Sequence, residues 1–210
     1  DLTGDLGLGE ELFYATKVWT PRDWSPKGQM ERSFERMGIE YIDLMQVHNL
    51  VDTERNLAVA RELKEEGRIG HIGITHHETY AFDNLTRWIE KTPDLDFVQF
   101  NYSIGTREAE KQLLPLCREK GVATLINEPF ENAALFKEVK GKTLPEFAKE
   151  INCRTWAQFF LKYVVSASGV TAAIPATSNP QHLVENIHAG EAPLPDRAMR
   201  QRMANSFERL

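Results

Sequence analysis

Cysteine is nearly absent. The 210 residues hold two, Cys117 and Cys153, far apart and without CxxC spacing, which argues against structural zinc and fits a reducing compartment or a protein indifferent to redox. Long apolar runs are missing too, none approaching the ~20 residues that a bilayer-spanning helix needs. The opening DLTGDLGLGEELFYATK has neither the basic start nor the apolar core of a signal peptide. The reading is no membrane partner and, by default, a cytoplasmic location, unless an export signal lies upstream. Positive charge is in deficit: 25 Lys and Arg against 31 Asp and Glu give a net charge of −6 and a pI near 5.6, which argues against a nucleic-acid partner, since that would need a basic face. A dinucleotide fingerprint is lacking as well. No GxGxxG follows a strand, and the early GDLGLG precedes the first strand and reads as a helix end with turn glycines.

What is there is the composition of one globular domain over residues 1–210, with 41% hydrophobic and 27% charged residues. Short apolar runs rich in β-branched or aromatic residues occur at LFYATKVW, YIDLMQVH, HIGIT, DFVQFNY, VATLIN and VTAAIP, each the length of a buried strand. Helix-period segments lie between them, and most strand starts are separated by the roughly 30 residues that a strand, a helix and two turns require. Strict alternation implies a parallel α/β sheet, open or closed into a barrel, and periodicity alone does not choose. In KGQMERSFERMG, Met30, Phe34 and Met37 form one stripe closed by Gly38. In REAEKQLLPLCREKG the stripe is Ala109, Leu113, Leu116 and Cys117, closed by Gly121, with a bend expected at Pro115. The long gap from 127 to 143 is where a lid or cofactor-covering loop would sit.

Lys17 and His48 end the first two strands. Period-2 alternation puts Lys17 with Phe13 and Ala15, and His48 with Ile42, Leu44 and Gln46. Ligands of parallel sheets bind at these C-terminal ends. Each residue alone reads as a solvent-reaching lysine or a hydrogen-bonded core histidine; the pair on successive strands says more. Asp43, on the other face, is expected to hydrogen-bond a neighbouring backbone. His76 and His77 are expected on opposite faces of a continuing strand, which argues against a metal shared with His71.

ATKVW, RMGIEYIDLMQVH, EEGRIGHIGIT, FVQFNYS and IPATSNPQHLVEN, in that order, resemble the aldo-keto reductase family over nearly the whole chain. The resemblance implies a (β/α)8 barrel of TIM type, of which about six βα units are present, with NADP(H) across its C-terminal mouth. The implied activity is reduction of a small aldehyde or ketone by hydride transfer. Lys17 and His48 resemble the lysine and histidine of the catalytic Asp, Tyr, Lys, His set, and Trp19 and Asn49 would face the substrate. Thr75 and His76 stand where relatives have Ser-Asn on the nicotinamide carboxamide, and Gln99 matches an amide-binding glutamine. Asn127 stands where many relatives have an aromatic residue; it cannot stack on nicotinamide, so Phe130 is the candidate to cover that face. Thr177 and Ser178 lie by a helix start suited to phosphate, and Glu185 and Asn186 match the adenine-contacting pair. Ala176 and His182 replace the Lys and Arg with which relatives grip the 2′-phosphate, so NAD(H) stays open beside NADP(H).

The family's Asp and Tyr lie upstream of its Lys strand, and only sixteen residues precede Lys17 here. The chain therefore reads as N-terminally incomplete: a reductase whose proton donor lies upstream or, alternatively, a shortened and catalytically silent member with a dinucleotide-binding or interaction role. With two barrel strands missing, unpaired edges are expected to make the short chain self-associate.

Overall fold

The computed structural model describes Gly7, residues 11–22 and residues 24–210; the GDLGLG turn therefore lies mostly outside the described residues. Six strands alternate with helices: β1 (Ala15–Val18), α1 (Pro26–Met37), β2 (Ile42–His48), α2 (Thr53–Glu65), β3 (Ile69–Thr75), α3 (Phe82–Lys91), β4 (Phe97–Asn101), α4 (Leu113–Lys120), β5 (Ala123–Asn127), α5 (Ala134–Glu138), α6 (Trp156–Val165), β6 (Ala172–Ala173), α7 (Pro180–His188) and α8 (Arg197–Phe207). The sheet takes the strands in sequence order, β1 to β6. Two compact units share the chain, Asp1–Thr75 with Thr92–Phe97, and His76–Lys91 with Val98–Leu210.

In the first unit β1, β2 and β3 pair in parallel. Val18, Met45, Val47, Ile72 and Ile74 on one face and Leu44 on the other are all buried. Helix α1 starts where the sequence gives it a cap: Ser25 Oγ accepts from Gly28 N–H at 3.1 Å, and Pro26 follows at the first helical position. It stops at Gly38, whose φ of +66° lets its N–H turn back to the carbonyls of Phe34 and Glu35. Met30 and Phe34 are buried beneath it, and Arg68 stacks on Phe34 while gripping Glu31 through two bonds of 2.6 and 2.8 Å. Asp43 does what its outward face required: Tyr14 N–H donates to its Oδ2 at 2.7 Å.

The second unit is built around α6, whose Phe159, Phe160, Leu161, Tyr163 and Val164 are buried. Lys162 is buried with them; its ammonium donates to the carbonyls of Glu191 and Pro193, and burial lowers its pKa. Glu110 gathers the hydroxyls of Tyr102 and Tyr163 and the guanidinium of Arg200, which fastens α8. Both cysteines are buried and unbridged, and burial pushes the Cys117 thiol up to about 12 and Cys153 up to about 11. They are poor nucleophiles.

Three local expectations are corrected. The segment around Pro115 is not one bent helix: a 3-10 turn at Glu108–Glu110 precedes α4, which begins at Leu113. Pro115 thus sits in the first turn, where its missing N–H has no helical acceptor to lose. The VTAAIP strand shrinks to Ala172–Ala173. On its N-terminal side the hydroxyls of Thr124 and Thr171 replace ladder bonds, each accepting the other residue's N–H at 3.0 Å; on the other side Pro175 has no N–H to give. Finally, β3 ends at Thr75, so His76 and His77 do not alternate as strand residues. Their rings stack 5.7 Å apart at an interplanar angle of 9°.

Candidate functional site

In the first unit, β1 to β3 set the register of the candidate residues at their C-terminal ends. Lys17 lies beside Gln46, and Gln46 beside Gly73. Gly73 carries no side chain for a steric reason: a Cβ there would stand 2.8 Å from the Phe97 carbonyl and 3.0 Å from Gln46 Cγ. One step further along, His48 lies beside Thr75. Lys17 is half-buried, and desolvation lowers its pKa.

The loops beyond β1 and β2 are fixed by polar side chains. Trp19 N–H donates to Gln29 Oε1 at 2.7 Å, while its indole stays exposed. Thr20 donates to Asn56 Oδ1 at 2.6 Å, and the Asn56 amide reaches the Val51 carbonyl at 2.8 Å, tying the two loops together. Asn49, immediately after His48, has φ of +53°, and its buried Oδ1 has no hydrogen-bond partner. Leu50 and Asp52 are also left-handed. Polar atoms buried without partners and backbone held in sparse regions both concentrate at ligand sites.

In the second unit His76 N–H donates to the Gln99 carbonyl at 3.1 Å, and both side chains are buried. Glu78 N–H donates to His76 Nδ1 at 3.1 Å. That bond places the proton of the neutral ring on Nε2. Desolvation first, and then the neighbouring His77, lowers the His76 pKa against the pull of Glu78. At neutral pH His76 is therefore a neutral donor, the property a substitute for asparagine needs.

Beyond β5 and β6 a cleft of about 800 Å³ opens against α7. Six residues singled out in the sequence line it: Asn127, Phe130, Thr177, His182, Glu185 and Asn186. Ala176 is in the same wall, and Ser178 is not among the lining residues. Asn127 Oδ1 is buried without a hydrogen-bond partner, as is Asn101 Oδ1 at the end of β4. Phe130 packs on Phe136, ring centroids 5.0 Å apart. Asn186 reaches the Pro175 carbonyl at 3.3 Å. The start of α7 is organised by two turns: Asn179 N–H donates to Thr177 Oγ1 at 3.1 Å, and Gln181 N–H to Asn179 Oδ1 at 2.9 Å. Glu128, Glu131, Asn132 and Ala133 all have positive φ, each at a cost of about 1–2 kcal/mol for a residue with a Cβ.

Several contributors escaped the sequence reading. Trp156 and Phe136 line the cleft, although their helical period marks them only as core. Asn56 and Asn101 stood out in no motif, and a lone asparagine gives no signal of where its amide ends.

A nicotinamide dinucleotide fits this donor set: an unsatisfied amide oxygen, a carboxylate and a second amide on one helix, a hydroxyl-bearing turn and an aromatic wall share one cleft of suitable size.

The model of the aldo/keto reductase family matches residues 7–204. An uncharacterized oxidoreductase of Schizosaccharomyces pombe is 30% identical over 179 residues, 80% of this chain and 56% of that protein. An NADH-specific methylglyoxal reductase of Escherichia coli is 30% identical over 131 residues, 60% of this chain and 39% of that protein. The chain thus spans about half the length of these curated relatives, or less. A solved aldo-keto reductase of Klebsiella pneumoniae, in complex with NADPH, superposes with a TM-score of 0.76 at 21% identity, covering 96% of this chain and 72% of that one. At that identity it speaks to the fold.

Proposed function

Because the chain belongs to the aldo/keto reductase family, we propose that the protein carrying it reduces small aldehydes and ketones with a nicotinamide dinucleotide, NADP(H) first and NAD(H) as a second option. The observation that carries the reading is the cleft beside α7, where six residues chosen from the sequence for cofactor binding lie together. Relatives and neighbours lend both cofactors, one being NADH-specific and another solved with NADPH. The methylglyoxal reductase among them favours a small carbonyl substrate.

The bound dinucleotide supplies hydride; the rest is the work of side chains. His48 orients the carbonyl oxygen at the strand ends, and the Lys17 ammonium stabilises negative charge as it develops there, lowering the pKa of a proton-donating phenol from about 10. That phenol is the tyrosine which the family resemblance puts upstream of Lys17. Thr75, His76 and Gln99 would hold the carboxamide, with the Nε2–H of His76 available to donate to it. Thr177 and the start of α7, with Ser178 beside the cleft, would take phosphate oxygens, and Glu185 and Asn186 the adenine end. Trp19 and Asn49 border the substrate.

Titration of the full-length protein with NADPH and NADH, followed by turnover with methylglyoxal and larger aldehydes, tests this. Lys17→Met is expected to lower kcat by about 10²–10⁴-fold while leaving the dinucleotide dissociation constant nearly unchanged. Failure of the wild-type protein to bind either dinucleotide, or full turnover by Lys17→Met, refutes the assignment.

A further inference from the structure

We infer that Glu131 is a positioning residue for the dinucleotide, a clamp that keeps residues 128–133 shaped as one wall of the cleft; the inference rests on the cofactor reading just given. Of the six residues from Glu128 to Ala133, five line the cleft, and Glu131 is the exception. Its carboxylate turns instead to the loop after β4, where Oε1 accepts from the Ser103 hydroxyl and, at 2.9 Å, from the Thr106 hydroxyl. Ser103 is arranged for that task. It is buried, and its Oγ already accepts the N–H groups of Gly105 and Thr106 at 3.0 and 2.8 Å. The hydroxyl proton is thereby directed at Glu131. Gly105 leaves the space that the carboxylate needs, because a Cβ there would stand 2.6 Å from Glu131 Oε1.

What the clamp opposes is backbone strain. Glu131, Asn132 and Ala133 take φ of +51°, +52° and +70° in succession, and none is glycine. Side-chain-bearing residues avoid this region because Cβ meets the carbonyl oxygen, and such runs persist only where the surroundings over-determine them. The bonds Glu131 N–H to Glu128 O and Ala134 N–H to Glu131 O, both 2.9 Å, are local to the loop. The carboxylate adds a charge-assisted tie to a separate segment of the chain. Without it the loop relaxes toward right-handed geometry and carries Phe130 and Asn132 out of the wall.

The test uses the full-length protein and the variants Glu131→Ala, Glu131→Gln and Gly105→Ala, with two readouts: amide hydrogen exchange of residues 128–134 without cofactor, and NADPH and NADH dissociation constants from cofactor fluorescence. Glu131→Ala is expected to speed exchange in this segment and to weaken NADPH by about tenfold. In Glu131→Gln the amide oxygen still accepts from both hydroxyls, so affinity stays within about threefold of wild type. Gly105→Ala displaces the carboxylate without removing it and reproduces the alanine variant. Unchanged exchange in Glu131→Ala means there is no clamp. Faster exchange with unaltered dinucleotide affinity means the loop does not position the cofactor, and overturns the inference while leaving the proposed function standing. A wild-type protein that binds neither dinucleotide overturns both.

Discussion

Ala133 shows how much a single backbone position can reveal. Its φ of +70° is a conformation that glycine enters freely and alanine does not. The methyl group stabilises nothing that would explain the choice, since Ala133 is exposed at the cleft rim. Replacing it with glycine removes the Cβ–carbonyl conflict, worth about 1–2 kcal/mol, and adds about 0.5–1 kcal/mol of backbone entropy cost. Ala133→Gly is therefore expected to stabilise the full-length protein by about 0.5–1 kcal/mol, read as a higher denaturation midpoint with an unchanged slope. A lower midpoint would mean that the left-handed geometry is not the resting state of the loop. At this scale the sequence was informative where a residue belongs to a motif. Asn127, Glu185 and Asn186 were named from their neighbours and lie in one cleft. Glu131 was silent, because its role comes from Ser103 and Thr106, more than twenty positions away in the chain.

Helix α7 carries the question of cofactor choice. Its N-terminal turn is organised by Thr177 and Asn179, and His182, Glu185 and Asn186 project from it into the cleft, with Ala176 just before it. Among its lining residues the wall holds the carboxylates of Glu128 and Glu185 and no permanent cation. Adding one supplies a charge-assisted bond to a 2′-phosphate and nothing to a free ribose hydroxyl. Ala176→Lys and His182→Arg are each expected to raise the preference for NADPH over NADH by about tenfold, with the gain shrinking as salt rises. Equal tightening of both dinucleotides, or none, would place the 2′-phosphate elsewhere. The elements themselves were largely legible, because caps and stops are local: Ser25-Pro26 opens α1 and Gly38 closes it. What sequence could not give was length at the ends of the series. VTAAIP has strand composition, yet only two residues pair as a strand, since ladder bonds depend on a neighbour and composition does not report one.

For the whole chain the strand series matters most. β1 pairs with β2 and β6 with β5, and among the described residues they are the first and last members of the sheet order. Apolar side chains accompany both: Leu12 and Phe13 precede β1, and Ile174, Leu183, Val184 and Ile187 follow β6, all of them exposed. None of the residues of α7 is buried. Lys17 within β1 and Pro175 after β6 weaken both strands as templates for another chain, so the exposed apolar side chains beside them carry the expectation of association. We expect the 210-residue chain, expressed by itself, to associate at concentrations on the order of 10–100 µM, and to reduce carbonyls about 10²–10⁴-fold more slowly than a longer protein that supplies the tyrosine beside Lys17, the cost of losing a general acid. Light scattering across a dilution series reads the first half, and NADPH oxidation by the two proteins side by side reads the second. Leu183 and Ile187 lie one helical turn apart on the same face of α7, so Leu183→Lys with Ile187→Glu is expected to shift the chain toward monomer without unfolding it. If the chain is already monomeric at those concentrations, the edges are covered by its own residues and the apolar face of α7 is an ordinary surface. If it turns over substrate as fast as the longer protein, the proton comes from a group within these 210 residues, and the assignment of Lys17 as the partner of an upstream phenol falls with it.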